Sequence, residues 1–197
     1  FLMGESMGGA VAYCTYNRNP KMFQGVIFVA PMCKIGDDVL PPKWVIHLFR
    51  WLAGSKDRNS IMGFFPLAPS QAVDIDMSVR PLKQAMMTAY PVDFARMPRI
   101  ATARELLDVT MHISNDLPNF EAPFLVQHGC LDRITDPQLS VSLYEESKSK
   151  DKTLRLYDGM LHSLLCGEFD ENIELVMSDS IAWVLERSKP VVTSNQL

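Results

Sequence analysis

Short apolar runs alternate with segments of helical spacing over both ends of this chain. Strand-like runs cover residues 1–3, 25–31, 123–129 and 153–157, and helical spacing covers residues 9–16, 137–147 and 171–187. Runs that are apolar on both faces are typical of buried parallel strands, and strands that alternate with helices indicate βαβ units. The pattern therefore predicts an α/β protein with a parallel sheet.

The middle of the chain breaks this pattern. Residues 32–118 contain repeated prolines and stretches of helical spacing at 41–54 and 102–113, with no convincing strand. We predict that residues 32–118 form a helical cap inserted into a core built from residues 1–31 and 119–187, with residues 188–197 as a tail.

The first strand-like run leads directly into Gly-x-Ser-x-Gly at residues 4–8, and a helix of small residues follows. This order is that of a nucleophile elbow, in which a serine occupies a sharp turn from strand to helix. We expect Gly4 and Gly8 to lie where any side chain would collide with the neighbouring strand or helix. Ser6 is the candidate nucleophile, and the alternative is a glycine-rich turn with an ordinary serine.

A serine nucleophile needs a histidine that accepts its proton, and the chain offers four. His47 and His112 lie in helical segments of the cap, where a surface or packing role fits. His128 ends a strand before a glycine turn, and we interpret it as structural. His162 lies in a loop beyond the last strand, where catalytic groups of parallel sheets collect, so it is the candidate general base.

That histidine in turn needs a carboxylate, and three aspartates follow strands of the predicted sheet. Asp136 precedes Pro137 and is expected to cap the next helix. Asp158 stands beside Gly159, as turn aspartates do. Asp132 lies in the middle of its loop and is our first choice for the acid, with Asp136 as the second.

The candidates follow the order Ser6, Asp132, His162, which is the chain order of α/β-hydrolases. The backbone N–H of Met7, at a helix N-terminus, is the expected donor to the oxyanion. The second donor usually comes from an upstream loop that this sequence does not contain. Since the chain also opens inside a strand at a residue other than methionine, we expect it to be a fragment.

Composition narrows the class of protein further. The chain has 197 residues, 47% of them hydrophobic, and 19 basic against 23 acidic residues give a net charge of −4. A nucleic acid partner is therefore not expected. The four widely spaced cysteines form no metal-ligand pattern, and we expect them to be reduced and buried. We expect no cofactor or metal, and a cytoplasmic or peripheral membrane location is favoured.

Four segments of the chain carry a family resemblance, and they are residues 4–10, 25–35, 128–137 and 149–159. They resemble the monoacylglycerol lipase group of α/β-hydrolases, particularly its plant-type lysophospholipase and caffeoylshikimate esterase-like members. The resemblance implies an α/β-hydrolase fold with a partial parallel sheet and an inserted helical cap. It also implies Ser6 as nucleophile, Asp132 as acid, His162 as base and Met7 as oxyanion donor.

This resemblance predicts a serine hydrolase that acts on monoacylglycerol or lysophospholipid esters. The alternatives are an esterase for aromatic acyl groups and a non-catalytic binding protein with the same fold. Trp44, Phe49 and Trp51 could line an acyl-chain site in the cap, which could also touch a membrane, or they could form the cap's own core. Glu5 stands where relatives often have Gln or His, and its charge could repel anionic substrates or raise the basicity of the histidine.

Overall fold

The computed structural model describes residues 1–33, Trp44 and residues 100–188. Apart from Trp44, which is helical, these residues form four strands and four longer helices, with short 3-10 turns at Pro20–Met22 and Leu117–Asn119. In chain order the elements are β1 (Leu2–Glu5), α1 (Met7–Arg18), β2 (Val26–Val29), α2 (Ile100–Asp116), β3 (Phe124–Gly129), α3 (Pro137–Glu146), β4 (Lys152–Tyr157) and α4 (Asp170–Arg187).

The four strands form one parallel sheet in the order β1-β2-β3-β4. Each face of the sheet carries its own hydrophobic core. Phe28 and Val126 belong to the core shared with α1, α2 and α3, whereas Ile27 and Leu125 belong to the core shared with α4. Because adjacent strand residues point to opposite faces, both faces of the sheet are apolar where residues 26–29 and 124–126 lie. The predicted parallel sheet is confirmed.

A buried polar group also joins the sheet to α4. The Gln127 amide donates to the Tyr157 hydroxyl at 2.7 Å and to the Val176 carbonyl at 2.9 Å, and the Ser180 hydroxyl donates to the Gln127 oxygen at 2.8 Å. All polar atoms of this buried amide are therefore used to fix the last helix on the sheet.

Helix α2 falls inside the segment assigned to the cap, yet its C-terminal end shares a core with the sheet. Ile113 and the following Leu117 are fully buried and pack in the cluster that contains Tyr13 and Phe28. Most of residues 32–118 lies outside the described residues, so the division into core, cap and tail stays a prediction.

The glycines of the elbow differ from the expectation at one position. A Cβ on Gly4 would lie 2.1 Å from the Gly8 carbonyl oxygen, and one on Gly9 would lie 2.7 Å from Cβ of Pro31. A Cβ on Gly8 would meet nothing within 4 Å among the described residues, the backbone of its own helix aside. The prediction was therefore right for Gly4 and wrong for Gly8, because it is the backbone of Gly8 that approaches Gly4.

Gly4→Ala is expected to destabilise the full-length polypeptide that contains this sequence by about 3 kcal/mol or more, since the added methyl group would overlap backbone atoms that cannot rotate away. Gly8→Ala is the matched control. It is expected to change stability by less than about 1 kcal/mol, in the stabilising direction, because alanine favours helix over glycine. Urea unfolding of both variants measures the difference, and equal losses would contradict the close approach at Gly4.

The four cysteines are free thiols, as expected, but only one of them is buried, whereas burial was expected for all four. Cys33 is buried, Cys14 and Cys130 are partly exposed, and Cys166 is exposed. Burial raises the pKa of the Cys33 thiol far above its ordinary value. Within the described ranges no helix has both the length and the apolar character needed to cross a membrane.

Candidate active site

Ser6 occupies the turn between β1 and α1 in a conformation that few residues adopt. Its φ of 55° and ψ of −120° lie outside the ordinary regions for a residue with a side chain, and such backbones cost about 1–3 kcal/mol. Hydrogen bonds hold the strained residue in place: its N–H donates to the Val29 carbonyl at 2.9 Å, and its carbonyl accepts from Gly9 and Met32 at 3.0 Å each. The turn therefore fixes Ser6 at the carboxyl end of β1, beside the end of β2.

Asp132 lies in the loop after β3, and its carboxylate is surrounded by donors. One oxygen, Oδ1, accepts from the backbone N–H groups of Ile134 at 2.7 Å and Thr135 at 3.1 Å. The other, Oδ2, lies 2.7 Å from Nδ1 of His162 and 2.9 Å from Nε2 of His128. Burial alone would raise the pKa of Asp132, but the hydrogen bonds from His128 and His162 outweigh it and hold that pKa well below its ordinary value. The carboxylate is therefore ionised at neutral pH.

His162 lies in the loop after β4 and is only 2% exposed. Because an ionised carboxylate can only accept, the 2.7 Å contact requires the proton to be on Nδ1 of His162. In the neutral ring, Nε2 is then free to accept a proton. No hydrogen bond joins this ring to the Ser6 hydroxyl in the described structure, and such contacts are often long until substrate binds.

The loop that carries Asp132 (residues 130–136, the acid loop) and the loop that carries His162 (residues 158–169, the base loop) are locked together. The Leu131 N–H donates to the Met160 carbonyl at 2.9 Å. A Cβ on Gly129 would lie 2.4 Å from the Leu161 carbonyl oxygen, so only glycine allows the base loop to approach the end of β3 this closely. The buried carboxylate of Glu168 accepts from the Leu161 N–H at 2.7 Å, which fixes the residue before His162.

Glu5 connects the elbow to the base loop. Its carboxylate accepts a hydrogen bond from the Leu165 N–H at 3.4 Å. Burial raises the pKa of Glu5 above its ordinary value, and the nearby charge of His162 opposes that rise. The roles suggested for Glu5 from its position beside Ser6 stay predictions.

The remaining predicted residues are placed as follows. Asp136 caps α3, its carboxylate accepting from the Gln138 N–H at 2.8 Å, and Asp158 lies in an exposed turn beside Gly159, whose φ is 74°. Met7 is the first residue of α1, so its N–H is one of those without an intrahelical partner. His112 and Trp44 have exposed side chains. His47, Phe49 and Trp51 lie outside the described residues.

The sequence did not single out Thr135 or Glu168 as residues of the site, and His128 was interpreted there as structural. His128 and Thr135 both reach Asp132, and Glu168 holds the base loop. The Thr135 hydroxyl lies 2.8 Å from Oδ2 of Asp132 and 3.2 Å from the Ala30 carbonyl oxygen, so it can tie the acid loop to the end of β2. Among the described residues, no group of three or more His, Cys, Asp or Glu side chains is arranged to hold a metal ion.

Solved structures with the same architecture are α/β-hydrolases. A monoacylglycerol lipase from Paleococcus ferrophilus aligns with a TM-score of 0.78 at 23% identity, covering 95% of this chain and 68% of that one. A soluble variant of monoglyceride lipase from Saccharomyces cerevisiae, in complex with a substrate analog, aligns with a TM-score of 0.76 at 19% identity, covering 96% of this chain and 62% of that one. The predicted α/β-hydrolase fold is confirmed.

The chain belongs to the Hydrolase_4 family, described as serine aminopeptidase, S33, whose model matches residues 1–170. Caffeoylshikimate esterase of Arabidopsis thaliana is 35% identical over 190 residues, which are 96% of this chain and 55% of that protein. Monoglyceride lipase of Homo sapiens is 30% identical over 198 residues, covering 99% of this chain and 61% of that protein. The chain thus spans little more than half the length of these relatives, and the resemblance noted in the sequence is confirmed.

Proposed function

We propose that the full-length polypeptide containing this chain is a serine hydrolase of carboxylic esters, with monoacylglycerols or lysophospholipids as its substrate class. The observation that supports this most is the 2.7 Å contact between Nδ1 of His162 and the ionised Asp132, at the edge of the sheet where the strained turn presents Ser6. The names of the relatives, which include several monoglyceride lipases, point to the same class of ester.

In this proposal the Ser6 hydroxyl attacks the ester carbonyl while Nε2 of His162 accepts its proton. Asp132 keeps the ring in the required tautomer and stabilises the imidazolium that forms. The Met7 N–H donates to the oxyanion, where removal of one donor costs on the order of 3–4 kcal/mol of transition-state stabilisation. His162 then protonates the leaving alcohol, and water hydrolyses the acyl-enzyme with the same ring as base.

The cap supplies the acyl site in this proposal. Its sequence is rich in large apolar side chains, including Trp44, Phe49 and Trp51, and the described Trp44 side chain is exposed. In this proposal the exposed Trp44 side chain contacts an acyl chain or a membrane surface. A cytoplasmic or peripheral membrane location would fit such a substrate.

An aromatic acyl ester is the second candidate substrate, favoured by the 35% identity to a caffeoylshikimate esterase. Hydrolysis of a long-chain monoglyceride and of a hydroxycinnamoyl ester should be compared on the full-length polypeptide, with the Ser6→Ala variant as the blank. Faster turnover of the monoglyceride supports the first substrate class, and faster turnover of the hydroxycinnamoyl ester replaces it with the second. Binding of either ester without any turnover would contradict the enzyme and favour a non-catalytic binding protein.

A further inference from the structure

A second histidine meets the same carboxylate oxygen as His162. Nε2 of His128 lies 2.9 Å from Oδ2 of Asp132, and Nδ1 of His162 lies 2.7 Å from that oxygen. The side chains of His128 and Asp132 are both 0% exposed, and that of His162 is 3% exposed. The three side chains are therefore shielded from solvent, and one carboxylate contacts two imidazole rings.

The acceptors around His128 fix the position of one of its protons. Nε2 faces Oδ2 of Asp132 and, also at 2.9 Å, the carbonyl oxygen of Thr135. Both of these oxygens can only accept, because the carboxylate is ionised and a carbonyl has no proton to give. Nε2 of His128 must therefore carry a proton and donate it to this pair of oxygens.

The other side of the ring is anchored in a helix. Nδ1 of His128 lies 2.6 Å from the Ser140 hydroxyl, which is buried in α3. His128 itself belongs to β3, which pairs with a strand on each side. Its ring is thus held by a central strand and a helix, whereas Asp132 and His162 lie in loops. The rigid partner in this group is His128.

From this arrangement we propose that His128 is a positioning residue: its Nε2–H holds Oδ2 of Asp132 in the orientation that receives Nδ1 of His162. The proposal rests on the proposed function only in that Asp132 and His162 are taken to act in ester hydrolysis. His128 does not touch the reacting atoms in it. Its contribution is to restrict the rotation of the carboxylate, because a displacement of about 1 Å at a catalytic group can lower the rate about 100-fold.

Two substitutions at this position separate the donor from the volume of the ring. His128→Gln places an amide Nε2 near the position of the imidazole Nε2 and keeps a donor for Asp132, whereas His128→Leu removes the donor. In the full-length polypeptide we expect the leucine variant to lower kcat about 10- to 100-fold with KM changed less than about twofold, and to shift the pH profile of kcat/KM. The glutamine variant should recover activity to within a few-fold of the wild type.

His112→Leu is the matched control, because it is the same substitution at a histidine whose side chain is exposed on α2. It is expected to keep kcat within about threefold of the wild type. An active wild type together with a folded His128→Leu variant of unchanged kcat and pH profile would overturn the positioning role and leave the proposed function standing. An inactive wild type would instead overturn the proposed function.

A measurement on the wild-type protein keeps the proposal testable if the His128→Leu variant does not fold. Nitrogen NMR of histidine-labelled protein distinguishes a protonated from an unprotonated Nε2 in each ring without any assay of activity. The expected result is a proton on Nε2 of His128 and on Nδ1 of His162 at neutral pH. An unprotonated Nε2 on His128 would overturn the proposal, since that nitrogen could not then donate to Asp132.

Discussion

Ser6→Ala is expected to lower kcat for ester hydrolysis by on the order of a million-fold, as loss of the nucleophile does in serine hydrolases. The physical reason is that no other hydroxyl is presented by the strained turn at the end of β1. The backbone angles φ 55° and ψ −120° are those of Ser6, and they set the direction of the Ser6 side chain. With alanine at this position, the acyl-enzyme cannot form, and what remains is stabilisation of direct attack by water.

The fold of this variant should be retained, because alanine tolerates the strained backbone no worse than serine does. Ser178→Ala serves as the matched control. Ser178 lies on an exposed face of α4, where its hydroxyl bonds to the Leu175 carbonyl at 2.9 Å, and its loss should leave kcat unchanged. Steady-state hydrolysis by both variants of the full-length polypeptide provides the measurement, and a Ser6→Ala variant with substantial activity would contradict the assignment.

Asp132→Asn is expected to lower kcat by about 10⁴-fold, as the equivalent change does in a serine protease triad. The asparagine oxygen would accept from the N–H groups of Ile134 and Thr135, in place of Oδ1. The amide NH2 would then face Nδ1 of His162 and Nε2 of His128. Since the NH2 group can only donate, it would favour the His162 tautomer with its proton on Nε2, which cannot act as the base.

Asp136→Asn discriminates this result from a general effect of charge removal. Asp136 lies in the same loop region and was the second choice for the acid, but its carboxylate caps α3. Asparagine is as good an N-cap as aspartate, so activity and stability should be nearly unchanged. Comparable losses of kcat in the two variants would mean that the acid has been assigned to the wrong residue.

The fold was predictable because burial in parallel strands leaves a local signature. The run at 25–31 is apolar at every position, and the four residues of β2 are buried on both faces. The helix cap at Asp136 was also predictable from the sequence, since an aspartate before proline can accept a hydrogen bond from a backbone N–H in the first turn of the helix. Each of these features depends on neighbours in sequence.

The missed features depend on groups that are distant in sequence or on the exact direction of a side chain. The sequence led us to expect close approaches at Gly4 and Gly8, and only the path of α1 places Pro31 against Gly9. His128 was interpreted as structural because the sequence places it at the end of a strand, which gives no information about the loop that folds back over its ring. The orientation of the Asp132 carboxylate, shared by two rings, is a consequence of that loop.

The site of covalent labelling shows whether Ser6 is the nucleophile of a serine hydrolase. The full-length polypeptide should be treated with a fluorophosphonate probe, digested, and analysed by mass spectrometry, in parallel with Ser6→Ala and Ser178→Ala. We expect one adduct, on Ser6, in the wild type and in Ser178→Ala, and none in Ser6→Ala. An adduct on another serine, or labelling that persists in Ser6→Ala, would show that Ser6 is not the nucleophile.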